Sequence, residues 1–237
     1  MINKLDIDQL KQTFATAEPY PHVVIDDFLD LVAAQKILDE FPDAHDTIWD
    51  WKSNDINSIK QMCQDASKIK TLTNIWETIE FLNSESFLKD VSEFTNMPKL
   101  YGDDKLSGGG LHLMKRGGHL KLHVDFNIAD SLPNLNRRLN IILFMNPNWK
   151  SEWGGGLELW NTDCTECIVK VDPIFNRAVI FDTQPENGIM PWHGHPSPLQ
   201  CPADVHRKSI ALYYYSKELP DTKMSKKHKT IYQGQYE

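Results

Sequence analysis

Hydrophobic and polar positions alternate most clearly in the stretch from residue 119 to 126. Every second residue there is apolar: Leu120, Leu122, Val124 and Phe126. A period of two is typical of a strand with one buried face and one polar face. His123 and Asp125 lie on the polar face, so their side chains are expected to point the same way.

Short runs of this kind recur after Lys99, separated by Gly, Pro and Asn turns. The predicted strands cover residues 109–115, 119–126, 137–145, 156–160, 167–171, 177–183 and 206–216. Many short strands at this spacing predict a β-sandwich or a barrel such as the jelly roll.

The pattern before residue 99 is mainly helical. Apolar residues at helical spacing predict helices over 6–17, 31–41, 58–80 and 84–96, and residues 21–29 read as a strand that runs into a turn. A polar loop is predicted over 44–57, where it carries Trp49 and Trp51.

These elements predict an α+β, mainly β fold with a double-stranded β-helix core of the jelly-roll or cupin-like kind. The core is expected over 99–217, with an N-terminal helical support region of the same domain over 1–98. Residues 218–237 form a polar, Lys-rich tail. We interpret the tail as a solvated end rather than a binding element.

Composition narrows the classes of function. A chain of 237 residues fits one domain, and a net charge of -8 argues against nucleic acid as the main partner because phosphate binding needs a clustered positive surface. No apolar run approaches membrane-spanning length. The CxxC spacing of Cys164 and Cys167 comes without further zinc ligands or a redox context, which favours reduced thiols and a cytoplasmic location. The oligomeric state stays open.

His123 and Asp125 are candidates to hold one metal ion. A second imidazole would complete the facial triad of two histidines and one carboxylate that non-haem Fe(II) oxygenases use. Such a pair also arises by chance in a chain with 9 histidines and 33 acidic residues. The hypothesis therefore depends on a partner elsewhere, and both His193 and His195 qualify because residues two apart on an extended segment share a face.

Four motifs in a fixed order resemble the prolyl 4-hydroxylase-like branch of the 2-oxoglutarate and Fe(II)-dependent dioxygenases. They are the His-x-Asp of 123–125, the strand RRLNIILFMN of 137–146, the segment WGGGLELW of 153–160, and the His-Gly turn of 193–194 followed by Arg207 at the start of the last strand. The ordered match spans about residues 99–217, which makes it far more specific than any single motif.

The resemblance implies that Fe(II) is held by His123, Asp125 and His193. Family order places the distal histidine directly before a glycine, which favours His193 over His195. The implied cofactors are Fe(II), the cosubstrate 2-oxoglutarate and O2, with ascorbate as a candidate addition.

The resemblance also implies a binding site for 2-oxoglutarate. Its distal carboxylate would meet the guanidinium of Arg207, while Lys208 alternates to the other face. Leu157 would pack on the methylene chain, and Asn140 would add a hydrogen bond. Some members of the branch have a tyrosine at the position of Phe144 that also contacts the distal carboxylate, and phenylalanine cannot make that contact.

The implied reaction hydroxylates a substrate C–H bond and converts 2-oxoglutarate to succinate and CO2. An intact Asp125 resembles hydroxylases, since related halogenases replace this carboxylate with a small residue. The expected substrate is a prolyl residue in a peptide or protein, and the alternative is a free amino acid or another small molecule. The acidic composition favours a neutral or basic peptide. Residues 44–57, with Trp49 and Trp51, and residues 127–136 are candidates for the rim of the site.

Two other classes of function would also use the triad. A non-catalytic, cupin-like metal- or ligand-binding module would have no need for Arg207. A zinc hydrolase built on the same triad would lack a visible general base. Both are therefore less favoured than the dioxygenase.

Overall fold

The computed structural model describes residues 1–186, 188–217 and 226–234. The helices in this part of the chain are α1 (Ile7–Thr16), α2 (Leu31–Glu40), α3 (Ala66–Ile69), α4 (Thr73–Leu82) and α5 (Glu85–Thr95). The strands are β1 (His22–Ile25), β2 (Trp51–Asn54), β3 (Ser58–Cys63), β4 (Gly110–Met114), β5 (His119–Val124), β6 (Asn136–Phe144), β7 (Leu157–Trp160), β8 (Cys167–Val171), β9 (Arg177–Asp182), β10 (His193–His195), β11 (Arg207–Ser216) and β12 (Ile231–Tyr232).

The strands form one antiparallel sheet that curls into a nearly closed barrel. Its order is β1-β9-β6-β11-β4-β3-β5-β10-β7-β8, with β12 paired to β5 and β2 paired to β3. This confirms the predicted α+β, mainly β fold with a jelly-roll core. Among the described residues, no helix has the length and apolar character needed to cross a bilayer.

The helices pack on one face of the sheet and leave the other face free for a site. Leu111 and Leu113 of β4 are fully buried in a core cluster that also contains Phe14 of α1 and Phe87 of α5. Because side chains alternate along a strand, His112 between the two leucines points to the opposite face, into the barrel. All of these helices except α4 start at a side-chain cap, such as Asp6, whose carboxylate accepts from the backbone N–H of Gln9.

The seven strands predicted after residue 99 are confirmed, each within two residues at either end. The helix predicted over 58–80 is wrong at its start, because residues 58–63 form β3 and only 66–69 and 73–82 are helical. The predicted loop 44–57 contains β2. Both errors have one cause. Runs of four and six residues are too short for their period to predict the element type. Hydrogen bonding of β3 to β4 and β5, and of β2 to β3, determines their conformation.

The interpretation of the tail as a solvated end is wrong for residues 226–234. Ile231 pairs with Val124 and Tyr232 pairs with His123, so this segment adds β12 to β5. The lysines around it stay on the surface, while the two apolar residues meet the sheet. Residues 218–225 and 235–237 lie outside the described part of the chain.

Candidate active site

The three residues predicted from the sequence to be metal ligands all line one cavity of about 220 Å³ inside the barrel. His193 of β10 pairs directly with His123 of β5, and Asp125 follows the last residue of β5. The Nε2 atom of His123 lies 3.6 Å from Asp125 Oδ1, and that of His193 lies 3.2 Å from Asp125 Oδ2. The three ligand atoms all lie within 4.8 Å of one another.

Both histidines present the nitrogen that a metal needs. The Nδ1 atom of His123 lies 2.8 Å from the carbonyl oxygen of Lys121, and that of His193 lies 2.8 Å from the carbonyl oxygen of Pro191. A carbonyl can only accept, so each Nδ1 carries the proton and each Nε2 keeps its lone pair. Burial, with the neighbouring His193, lowers the pKa of His123 and favours the neutral ring that binds metal.

The carboxylate of Asp125 is held in place by two further side chains. Arg137 Nη2 donates to Asp125 Oδ2 over 2.9 Å, and Asn140 Nδ2 donates to the same oxygen over 2.8 Å. Burial alone would raise the pKa of Asp125, but Arg137 and His193 hold it well below its usual range. The guanidinium of Arg137 itself stacks between the rings of Phe126, at 4.5 Å, and Tyr213, at 3.3 Å.

This donor set fits Fe(II). Two neutral imidazoles and one carboxylate form the facial triad typical of non-haem Fe(II) oxygenases. The spacings of 3.2 and 3.6 Å are close to the distance of about 3 Å between adjacent corners of an octahedron with metal–ligand bonds of about 2.1 Å. His195 lines the same cavity but does not belong to this cluster. Its neighbour Gly194 has no room for a side chain, because a Cβ there would lie 2.8 Å from the carbonyl oxygens of Leu120 and Lys121.

Arg207 points into the cavity from the start of β11. Its Nε atom donates to the carbonyl oxygen of Gly155 over 2.7 Å, and within the described residues it has no acidic partner. Burial lowers the pKa of Arg207 to about 10, so it stays charged at neutral pH. Gly155 adopts a φ of +73°, and a Cβ there would lie 2.4 Å from Leu199 Cδ2 and 3.1 Å from Arg207 Cδ. The glycine therefore makes the space that the arginine occupies.

The other residues proposed for the cosubstrate are also found at the cavity. Leu157 and Asn140 both line it. The Oδ1 atom of Asn140 accepts from Arg137, and its Nδ2 atom donates to Asp125. The polar atoms of Asn140 therefore help to position the Asp125 carboxylate. Phe144, where some relatives have tyrosine, lies with its ring 4.9 Å from the guanidinium carbon of Arg207 and stabilises it by a cation–π contact.

Several cavity residues are not predicted from the sequence, and they include three with polar side chains. These three are Lys60, Tyr232 and His112. Lys60 lies in the incorrectly predicted helix, and Tyr232 lies in the segment interpreted as a solvated tail. The sequence pattern therefore gives no indication that either residue faces the cavity. The alternation of Leu111, His112 and Leu113 did mark a polar residue facing away from the core.

The candidates for the rim separate into two groups. Trp49 is wrong as a rim residue, because it is buried and its Nε1 atom donates to the carbonyl oxygen of Asp43. Trp51 does line the cavity and is 39% exposed. Residues 128–131 lie beside the cavity, together with Lys227–Thr230 of the C-terminal segment.

A jelly-roll barrel that aims a His-Asp-His triad and an unpaired arginine into one cavity defines the class of 2-oxoglutarate-dependent iron oxygenases. Residues 109–215 match the family described as the 2OG-Fe(II) oxygenase superfamily. Over this part of the chain the protein is therefore similar to the Fe(II)- and 2-oxoglutarate-dependent oxygenases. No curated protein is significantly similar to the chain in sequence.

Solved structures show the same fold. A prolyl hydroxylase from Trichoplax adhaerens, in complex with a hypoxia inducible factor peptide fragment, is 17% identical, with a TM-score of 0.58 over 88% of this chain and 86% of that one. A prolyl 4-hydroxylase from Phytophthora capsici is 19% identical, with a TM-score of 0.56 over 90% and 68%. An oxygenase of the 2OG-Fe(II) family from Burkholderia pseudomallei is 11% identical, with a TM-score of 0.55 over 93% and 94%.

Proposed function

We propose that the protein is a hydroxylase of the prolyl 4-hydroxylase-like kind. It inserts one oxygen atom of O2 into a saturated C–H bond of its substrate and uses the other to convert 2-oxoglutarate to succinate and CO2. The observation that carries the proposal is the joint placement of the intact triad and Arg207 in one cavity. A prolyl residue in a peptide is the first substrate to test, because a similar solved structure holds a peptide fragment.

The residues present assign each part of the reaction to a side chain. His123, Asp125 and His193 would hold Fe(II), and the bound metal and cosubstrate would supply the electrons that activate O2. Arg207 would bind the distal carboxylate of 2-oxoglutarate through the two terminal nitrogens that its bond to Gly155 leaves available.

The remaining neighbours keep these groups in position. Arg137 and Asn140 fix the direction of the Asp125 carboxylate. Leu157 provides the apolar wall for the methylene chain of the cosubstrate. The burial of the site limits water, which strengthens each of these charged contacts.

The proposal is tested by incubating the Fe(II)-loaded protein with 2-oxoglutarate, O2 and candidate substrates. Succinate and a substrate mass gain of about 16 Da, one oxygen atom, are expected together. His123→Ala should abolish both by removing a metal ligand. His119→Gln changes a histidine of the same strand outside the triad and should keep both. If succinate forms with none of the candidate substrates, the proposal is contradicted.

Two finer expectations remain part of this proposal. The use of ascorbate is measured by the number of turnovers before inactivation, with and without it. A cytoplasmic location agrees with four free cysteines, and fractionation of cells that produce the protein measures it directly.

A further inference from the structure

A second cation faces the cavity opposite Arg207. Lys60 lines the cavity from β3, which pairs with β4 through Met62 and His112, and His112 pairs in turn with Ser209 of β11. Lys60 lies two residues from Met62, and Arg207 lies two residues from Ser209. Both side chains therefore point to the cavity face of the sheet, and their backbone positions are about 10 Å apart across three strands.

The ammonium group of Lys60 has no hydrogen bond or ion pair within the described residues, although its backbone pairs with Ser53 in the sheet. Burial lowers its pKa to about 8, so the ammonium is mostly charged at neutral pH but poorly compensated. Asp125, the one carboxylate that lines the cavity among the described residues, is already paired with Arg137. Lys60 and Arg207 are thus two buried or half-buried cations without an anion.

Neutral hydrogen-bonding groups occupy the space between the two cations. His112 Nε2 and both ring nitrogens of His195 are buried and have no hydrogen-bond partner in the part of the chain that the structure describes. Burial and the positive charges of Lys60 and Arg207 lower the pKa of His112 well below the usual value. Unpaired buried nitrogens of this kind indicate a polar ligand in the cavity.

The cosubstrate does not account for both cations. 2-Oxoglutarate has two carboxylates, of which one would bind the metal and the other Arg207. Lys60 would remain unpaired. Its ammonium also lies nearer the opening, 5.6 Å from the ring centroid of the part-exposed Trp51, whereas Arg207 is only 5% exposed. Lys60 is therefore on the side from which the primary substrate enters.

We infer that Lys60 binds a free carboxylate of the primary substrate. The inference rests on the proposed hydroxylase function and narrows its substrate to an amino-acid unit whose carboxyl group is free. A free amino or imino acid and the C-terminal residue of a peptide both provide this group. An internal prolyl residue does not.

Binding is measured anaerobically by calorimetry on the protein loaded with Fe(II) and 2-oxoglutarate. The probes are the common amino acids, each beside its carboxamide, and short Pro-terminated peptides with a free or an amidated C-terminus. The best free acids should bind about tenfold or more tightly than their amides, since a charged hydrogen bond is lost in the amide. Comparing the affinities of single amino acids with those of the peptides distinguishes a free amino acid from a peptide C-terminus as the source of the carboxylate.

Variants separate the role of the charge from folding. Lys60→Met should remove the preference for acid over amide and leave the 2-oxoglutarate affinity unchanged, and Lys60→Arg should keep the preference. Lys52→Met is the matched control, because Lys52 is exposed on the neighbouring β2. Aerobically, Lys60→Met should raise KM for the acid more than it lowers kcat.

Equal affinity for acid and amide in every pair would overturn the inference. A Lys60→Met variant that weakens 2-oxoglutarate instead would also overturn it, by assigning Lys60 to the cosubstrate. Failure of the hydroxylase function is a different result. In that case no probe yields succinate in air, while the anaerobic preference for acids still depends on Lys60.

Discussion

The carboxylate of Asp125 depends on Arg137 for its charge balance. Both side chains are almost fully buried, and the guanidinium is held between Phe126 and Tyr213. The arginine therefore does for the metal-free protein what a divalent metal does when it binds: it compensates a buried negative charge.

Arg137→Met is expected to destabilise the metal-free protein by about 3–5 kcal/mol, because it leaves Asp125 buried without a cation. Added Fe(II) or Mn(II) should recover part of the loss, since the ion binds only the folded state. Urea unfolding with and without metal measures both effects. Arg177→Met, which breaks an exposed pair with Asp26, should cost less than about 1 kcal/mol. Unchanged stability of metal-free Arg137→Met would refute this account.

Arg207→Ala is expected to weaken 2-oxoglutarate binding by about 2–5 kcal/mol and to leave metal affinity nearly intact, because the distal carboxylate loses its buried partner. Calorimetric titration of each ligand measures the two affinities. Lys208→Ala is the control, since Lys208 faces the ring of Phe41 at 5.5 Å instead of the cavity. A larger effect on metal than on 2-oxoglutarate would show that the arginine has another role.

Asp182 lies outside the candidate metal site and should make the free energy of unfolding depend on pH. Burial raises its pKa from 3.8 to about 6. Between those values the folded protein keeps a proton that the unfolded chain has lost, so this group lowers stability as the pH rises, by about 3 kcal/mol once the pH exceeds 6. Asp182→Asn should therefore be more stable than the wild type near pH 8.

Urea unfolding of Asp182→Asn and wild type across this range checks the sign. The difference should shrink as the pH falls through about 6 towards 4. Asp204→Asn changes an exposed carboxylate and should show no such trend. The asparagine can still accept the backbone N–H of Gln184, so that bond is not lost.

At the level of single residues, the sequence predicted the residues that the motifs share and missed those that only the fold brings together. His123 and Asp125 follow from strand alternation, and the structure adds His193 to them instead of His195. Lys60 belongs to a strand distant in sequence, so no local pattern connects it with the cavity.

Among the elements, β12 covers one edge of β5, the strand that carries His123. It pairs with Val124 and His123, and Gln233 donates its backbone N–H to the carbonyl oxygen of Leu122. The ring of Tyr232 lies 5.7 Å from that of His123. Without β12 this edge of β5 would have open hydrogen-bonding groups.

Ending the chain after residue 217 is therefore expected to leave the barrel folded but to speed amide hydrogen exchange in residues 122–124 and to weaken metal binding. Exchange mass spectrometry and a metal titration measure the two effects. Ending the chain after Gly234 keeps β12 and is the control. Equal protection of residues 122–124 in both truncated proteins would show that β12 does not stabilise β5.

The elements differ in how well the sequence defines them. Strands after residue 99 alternate over several residues and end at Gly, Pro or Asn, so both their type and their limits were predictable. The three-residue β10 and the six-residue β3 are too short for periodicity. Their conformations come from pairing with β5, β7 and β4, which the local sequence does not contain.

For the whole molecule, one core joins the helices to the barrel. Its residues come from α1, α2, α4 and α5 as well as from β4, β6, β9 and β11. The first 98 residues also supply β1 and β3 to the sheet, where β3 lies between β4 and β5. The helices and the barrel are therefore expected to unfold together.

A fragment of residues 99–217 should not fold on its own, because it exposes the helix-facing side of the sheet and lacks β3. The full chain should unfold in a single calorimetric transition. Near-ultraviolet circular dichroism of the fragment and calorimetry of the full chain check the two statements. A fragment with a folded near-ultraviolet spectrum would contradict the first.

The hairpin of β2 and β3 has a consequence for how this enzyme can change. Trp51 and Lys60 lie in it, outside residues 109–215 that match the oxygenase family, whereas the triad and Arg207 lie inside. The residues proposed for the oxidation chemistry and those proposed for substrate selectivity thus lie in separate stretches of the sequence. Substitution of Trp51 and Lys60 would change the contacts to the substrate and leave the triad and Arg207 unchanged. The other residues of β3 keep its pairing with β4 and β5, so selectivity could change without loss of the barrel.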